Sequence, residues 1–291
     1  MTETLHIELD RLGEWTEERP FTVEAEHVRA YAAATNDVHP LHAAGMVAPP
    51  LFAGVPIGEH IDRVVDRLIA REDRRWGLHS GQDVRIYRPI VPGMVLRTQA
   101  APVGVHPGFS GTTVVIKTRT RDVHGDLLNE TYVTLFFRRR FRGEAAGERA
   151  PDHRTPPEAK AAAKTAGRIV AVSQVLDADQ TYRYAEASGD RNPIHLDPDF
   201  ARSVGLPGII VHGMCTMAFA GRALIEHACQ NDPSRLVRLA VRFARPVLPG
   251  QTITTHLWPA GEEAGRRVYG FETLNPAGKA VIQDGLAEVA G

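Results

Sequence analysis

The sequence predicts an α+β fold built twice, each half an antiparallel sheet wrapped around a long central helix. Three observations predict it: two segments recur in the same order in both halves, each half runs from helices into consecutive strand patterns, and strands do not alternate with helices as in a doubly wound sheet. In the first recurrence, Val84-Arg-Ile-Tyr-Arg-Pro-Ile-Val-Pro-Gly93 matches Val241-Arg-Phe-Ala-Arg-Pro-Val-Leu-Pro-Gly250. Val84/Val241, Arg85/Arg242, Arg88/Arg245, Pro89/Pro246, Pro92/Pro249 and Gly93/Gly250 are identical. In the second, Tyr31-Ala-Ala-Ala-Thr-Asn-Asp37-Val-His-Pro-Leu-His42 matches Tyr184-Ala-Glu-Ala-Ser-Gly-Asp190-Arg-Asn-Pro-Ile-His195. Asp37 therefore faces Asp190, and His42 faces His195. A duplicated domain explains shared order and spacing better than chance.

The elements follow one order in both halves. A short helix is predicted at 23–34 after Thr22, and another at 181–187 after Asp179, both with capping residue types in front. The Asp/His loop follows, then a longer apolar helix, at 54–70 and at 214–229. Ala218, Ala220, Gly221 and Ala223 give the second of these a small-residue surface that lets a sheet approach closely. Alternation and β-branched residues then predict strands at 84–87, 94–100, 112–120 and 129–137, and at 237–243, 252–257, 267–273 and 280–288. The stretch 138–157, rich in Arg, Ala, Gly and Pro, reads as a connector. The expected division is a front domain over 1–140, a linker over 141–167 and a rear domain over 168–291.

Composition excludes several classes. The 291 residues are 43% hydrophobic and 24% charged, ordinary for a globular chain. With 34 basic and 35 acidic side chains, the formal charge of −1 gives no bulk drive toward nucleic acid. No stretch approaches the ~18 consecutive apolar residues of a membrane span. Cys215 and Cys229 are the whole cysteine content, which excludes a disulfide framework and a multi-cysteine zinc site. Residues 1–10 lack the apolar core of a secretory signal and residues 287–291 lack a Ser-Lys-Leu ending, so a reducing cytoplasm is the expected compartment. No Gly-x-Gly-x-x-Gly or phosphate-loop motif is present.

The informative segment runs from Ser188-Gly-Asp190-Arg-Asn192-Pro-Ile-His195 to His212-Gly213-Met214. It resembles the hydratase motif of the MaoC-like dehydratases, the family of (R)-specific enoyl-CoA hydratases. With the repeat, the resemblance implies the double hotdog form. It also implies reversible hydration of trans-2-enoyl thioesters to (3R)-3-hydroxyacyl thioesters. Asp190 and His195 would hold and deprotonate the water, and the Gly213 N–H would stabilise the developing oxyanion. Asn192 would fix the loop or contact the water, and His212 would line the thioester site. The chemistry suits these residue types. Hydration of an enoyl thioester needs a base for water, an acid for the α-carbon and a donor for the enolate oxygen. Asp190 and His195 flank a proline-restrained turn, and Gly213 opens a helix, where free N–H groups favour negative charge.

The resemblance implies no metal and no cofactor, with a coenzyme A thioester as substrate, or an acyl carrier protein thioester as the alternative. A homodimer is expected. The competing functions are a 3-hydroxyacyl carrier-protein dehydratase, a hotdog acyl-thioesterase and a non-catalytic acyl-CoA-binding protein. Taken singly, each residue has a plainer role: Asp190 and His195 a surface pair, Asn192-Pro193 a turn, Gly213 a helix start. Their coincidence in one order points to catalysis.

The front half departs from this pattern. His39 stands in the place of Asn192, and Pro50 (Pro49 if the alignment slips by one) stands opposite Gly213. Proline has no N–H to offer an oxyanion. The front half is therefore expected to complete the pocket and house the acyl tail without turnover. His39 and His42 lack a third ligand of suitable spacing for a metal. Arg85, Arg88, Arg242 and Arg245 are read as ion-pairing or solvated residues, and Cys215 as a small buried side chain.

Overall fold

The computed structural model describes residues 4–291. The front half contains β1 (Arg19–Thr22), α1 (Ala25–Ala34), α2 (Pro40–Ala43), a 3-10 turn at Pro50–Gly54, α3 (Gly58–Leu68), β2 (Gly77–Ile86), β3 (Val95–Pro107), β4 (Thr112–Arg121) and β5 (Leu127–Phe137). A two-residue strand β6 (Ala146–Gly147) and a helix α4 (Pro157–Thr165) follow. The rear half contains β7 (Val170–Val175), α5 (Gln180–Ser188), a 3-10 turn at Pro193–His195, α6 (Pro198–Ser203), α7 (Gly213–His227), β8 (Leu236–Phe243), β9 (Thr252–Glu263), β10 (Arg266–Leu274) and β11 (Ala280–Val289).

The strands form one antiparallel sheet in the order β1-β3-β4-β5-β2-β8-β11-β10-β9-β7, with β6 on the side of β3. Each half contributes its strands in the same internal order, and the halves meet at β2 and β8. Their register sets Gly81 opposite Arg242, Asp83 opposite Ala240 and Arg85 opposite Arg238. Under the repeat, the first and last of these pairs exchange, so a local two-fold runs through the Asp83–Ala240 pair. Arg238 bridges this seam, with its guanidinium 3.0 and 2.7 Å from the two Asp83 oxygens and 2.9 Å from Glu288. This is the two-hotdog arrangement, α+β throughout.

The rear central helix starts one residue earlier than the sequence suggests and packs through the predicted small residues. Ala218, Ala220, Gly221 and Ala223 are all buried. A Cβ added at Gly221 would come within 3.4 Å of Leu239 on β8, an ordinary contact. The front helix differs more. The stretch 54–70 begins where a 3-10 turn, Pro50–Gly54, ends and is helical only from Gly58, in a shorter α3 buried only at His60, Val64 and Leu68. Pro56 explains the delay: inside the expected helix it has no N–H to bond back to the preceding turn, and its ring crowds that turn. The caps also differ. Thr22 ends β1 and Glu24 precedes α1, while Asp179 precedes α5 but spends its carboxylate on Arg183 at 3.1 Å. The stretch expected as a bare linker contains β6, paired with β3 at Gly104↔Gly147, and α4.

Candidate active site

The rear Asp/His loop is built by local rules. α5 stops at Gly189, whose φ of 78° is left-handed, a conformation glycine adopts freely. Asn36, with φ 50°, takes the equivalent place in the front half. The chain then turns on Asp190, whose Oδ1 accepts the Asn192 N–H at 3.1 Å. The Asn192 Oδ1 accepts the Ile194 N–H at 3.3 Å, capping the turn that Pro193 opens. That turn delivers His195 to a buried position, 7% exposed, while the Asp190 side chain stays in reach of solvent. His195 Nδ1 lies 2.7 Å from the Ile210 carbonyl. A carbonyl can only accept, so Nδ1 carries the proton and Nε2 is left free to take one.

His212 lies beneath this pair. Its ring stacks on His195 with centroids 3.7 Å apart and an interplanar angle of 25°. Its Nε2–H donates to the Asp190 carbonyl at 3.0 Å, and its Nδ1 is buried without a hydrogen-bond partner. An Asp190 carboxylate oxygen and one ring nitrogen each from His195 and His212 lie within 4.8 Å of one another. That spacing lets one water bridge Asp190 and His195. A cation placed there would have to use His195 Nε2 and His212 Nδ1, the nitrogens the loop leaves uncommitted.

Burial pulls the His195 pKa below the ordinary 6.5, against the Asp190 charge and the Ile210 bond, which raise it. His212 falls to about 4, through burial first and the neighbouring His195 second. Both rings are therefore neutral at pH 7. Between pH 4 and 6.5 the unfolded chain binds a proton at residue 212 that the folded chain does not. Stability is thus expected to be full above pH 6.5 and to decline toward pH 4, as denaturant midpoints across that window would show.

Gly213 is the first residue of α7, with His212 as its cap, so helix geometry gives its N–H no carbonyl partner. A side chain there would meet the Phe243 ring, with an ideal Cβ 3.2–3.3 Å from three of its carbons. The site thus brings Asp190, Asn192, His195, His212 and Gly213 into one loop-and-helix junction.

The front half shows the same backbone with a different outcome. The His39 N–H donates to Asp37 Oδ1 at 2.9 Å, as Asn192 does to Asp190. His42, however, is 0% exposed and turns its Nδ1 onto Asp37 Oδ2 at 2.8 Å. Burial pushes the Asp37 carboxyl up, but the His42 bond and charge, the His39 N–H and Arg222 outweigh it and hold the pKa below the ordinary value. The front pair is closed on itself, whereas the rear pair is open between its members. Pro50 opens the front 3-10 turn behind Pro49, as Gly213 opens α7 behind His212.

Two front-half residues that carry no motif reach the rear site. Asp62 on α3 has its pKa raised by burial first and by the Asp190 charge second. His79 on β2 feels both Asp190 and His195, and its ring centroid is 4.9 Å from that of Phe243. No local signal marks either residue, because the junction between the halves brings them there. A groove lined by Arg75, Trp76 and Arg138 of the front half and Asn192, Ile194 and Phe200 of the rear runs beside the loop. Three of the repeat arginines are bonded as expected: Arg88 pairs with Asp122 and Asp126, Arg242 with Asp284, and Arg245 donates to the Ala280 carbonyl. Arg85 departs from the expectation, its Nε buried without a hydrogen-bond partner and its guanidinium 5.8 Å from the Tyr132 ring. Cys215 and Cys229 are buried free thiols.

Comparison with known proteins agrees with this geometry. The MaoC like domain family matches residues 150–279. The chain is 33% identical to 3-hydroxyacyl-thioester dehydratase Y of Mycobacterium tuberculosis, over 74% of this chain and 73% of that one. It is 29% identical to the probable enoyl-CoA hydratase 2 of Dictyostelium discoideum, over 80% and 76%. The MaoC-like dehydratase from Phytophthora capsici shares the fold at a TM-score of 0.82, with 24% identity over 97% of this chain and 99% of that one. The loop geometry, the duplicated sheet and these likenesses together place the chain in the MaoC-like dehydratase family.

Proposed function

We propose that this chain reversibly hydrates trans-2-enoyl thioesters to (3R)-3-hydroxyacyl thioesters, using the rear-half site. The observation that carries this reading is the open Asp190–His195 pair, with His195 Nε2 left unprotonated by the Ile210 bond. A water held between Asp190 and His195 loses a proton to His195 as its oxygen bonds to C3. Electrons move through C2 to the thioester oxygen, where the Gly213 N–H meets the negative charge. The proton is returned to C2, and the reverse sequence eliminates water. His212 and Asn192 act as positioning residues, one holding the Asp190 carbonyl and the other the 193–195 turn. No metal or redox cofactor takes part in these steps. Two relatives named as an enoyl-CoA hydratase and a 3-hydroxyacyl-thioester dehydratase support both directions.

Coenzyme A is the carrier in this reading. Arg75 and Arg138 beside Trp76 offer its phosphates cationic partners and its adenine an aromatic neighbour at the edge of the loop. Comparable acyl groups on coenzyme A and on an acyl carrier protein, ranked by kcat/KM, separate the two carriers. Among the described residues no helix is long and apolar enough to cross a membrane, and the two free thiols suit a reducing cytoplasm. One chain supplies both halves of the site, and the mass of the protein in solution would check the expected homodimer.

The test is a chain-length series of trans-2-enoyl-CoAs, assayed in the presence of a chelator with chiral analysis of the product. The expected result is loss of enoyl absorbance, (3R) product and no free thiol. Thiol release would instead make the chain a thioesterase, and binding without turnover would make it a binding protein. The depressed His195 pKa sets the acid limb. Activity should hold as pH falls through 6.5 and decline only below it, and a limb above 6.5 would contradict the assignment.

A further inference from the structure

The front half contains an apolar cavity of about 250 Å³. Its walls include Leu41, Val47, Pro50, Ile86, Pro89 and Ile90. Under the repeat these positions correspond to Ile194, Ile210, Gly213, Phe243, Pro246 and Val247, all in or beside the candidate active site. The cavity is therefore the front-half counterpart of that site. It lies near the other end of α7, where Asp232, Pro233 and Ser234 close it. The fifteen residues of α7 span about 22 Å at the usual rise, so a ligand here is remote from the Asp190 loop.

Two differences keep this cavity open and inert. Ile86 replaces the Phe243 ring that stands over Gly213 in the rear half. Pro50 and the closed Asp37–His42 pair remove the oxyanion donor and the open base. The cavity also contains one polar feature the rear half lacks. Asn129 on β5 is 1% exposed, lines the cavity, and has its Oδ1 buried without a hydrogen-bond partner. Its rear counterpart is the core residue Ile282, set opposite Phe243 as Asn129 is set opposite Ile86.

We propose that this cavity is a second, non-catalytic binding site for the acyl-pantetheine portion of a thioester. The apolar walls take the hydrocarbon chain, and the Asn129 side-chain amide bonds an amide group of the pantetheine arm. At this size the cavity holds a chain rather than a whole coenzyme, so the nucleotide end stays outside. The ligand class rests on the thioester reading of the rear site; the existence of the site does not. Occupancy of both sites makes this chain a two-ligand protein with one reacting ligand.

Octanoyl-CoA, which has no C=C bond to hydrate, is the probe. Titration calorimetry of the full chain is expected to give two molecules bound per chain. Val47→Trp fills the cavity and Ser234→Trp, at its exposed rim, blocks the mouth. Each is expected to lower the count to one while enoyl-CoA hydration stays within about twofold of the unsubstituted chain. Asp190→Asn is expected to keep both. A count of one in the unsubstituted chain, or of two in both tryptophan variants, overturns the inference. Hydration with only one octanoyl-CoA bound would sink the second site alone. Two bound without any hydration of enoyl-CoA would sink the catalytic reading and leave the second site standing.

Discussion

Asp190→Asn is expected to lower kcat for enoyl-CoA hydration by on the order of 10²–10⁴-fold while leaving Tm nearly unchanged. The carboxylate is exposed, and its one fixed side-chain contact, the Asn192 N–H, is a bond an amide oxygen also accepts. Folding therefore loses little, and the water loses one of its two acceptors. Asp37→Asn is expected to do the reverse. Asp37 is 6% exposed and bonded to a fully buried His42, so loss of its charge weakens a buried charge-assisted bond. A cost of about 1–3 kcal/mol follows, with a lower Tm. Turnover per folded molecule should stay. Thermal melts and kcat on both variants check this double dissociation. Equal losses of kcat would mean that both halves catalyse.

Gly213→Pro is expected to lower kcat by about 10²–10³-fold, the usual effect of removing one oxyanion donor. The substitution installs at the rear what Pro50 already is at the front. The backbone can accept it. Position 213 is the first of α7, where proline is favoured, and His212 has the extended φ −55°, ψ 138° that precedes proline. Gly213→Ala is the steric control. It keeps the N–H and adds a Cβ 3.2–3.3 Å from the Phe243 ring, which must shift by a few tenths of an ångström. An alanine variant far more active than the proline variant assigns the effect to the N–H. Equal losses would assign it to crowding at Phe243.

The repeat made the architecture legible, because two copies of one motif imply two copies of one sheet. Asp190, Asn192, His195, His212 and Gly213 were readable because they lie within one short stretch, where spacing limits what the loop can do. Three features were not readable. The front helix starts late because Pro56 interrupts the expected run, a break that the apolar pattern alone does not show. The front Asp37–His42 pair closes on itself although its backbone copies the rear loop; the difference is which acceptor each histidine meets, the Ile210 carbonyl or its own aspartate. Asp62 on α3 and His79 on β2 reach the rear site from the other half of the chain, so no sequence-local pattern could point to them.

The central claim is that Asp190 and His195 act on one water. The most direct measurement is kcat for Asp190→Asn, His195→Gln and the double variant, with Tm recorded for each. Groups acting as one unit lose together, so the double variant is expected to be no slower than the slower single variant within a few fold. Losses that multiply would mean that the two side chains serve separate steps, and the shared water would have to be abandoned.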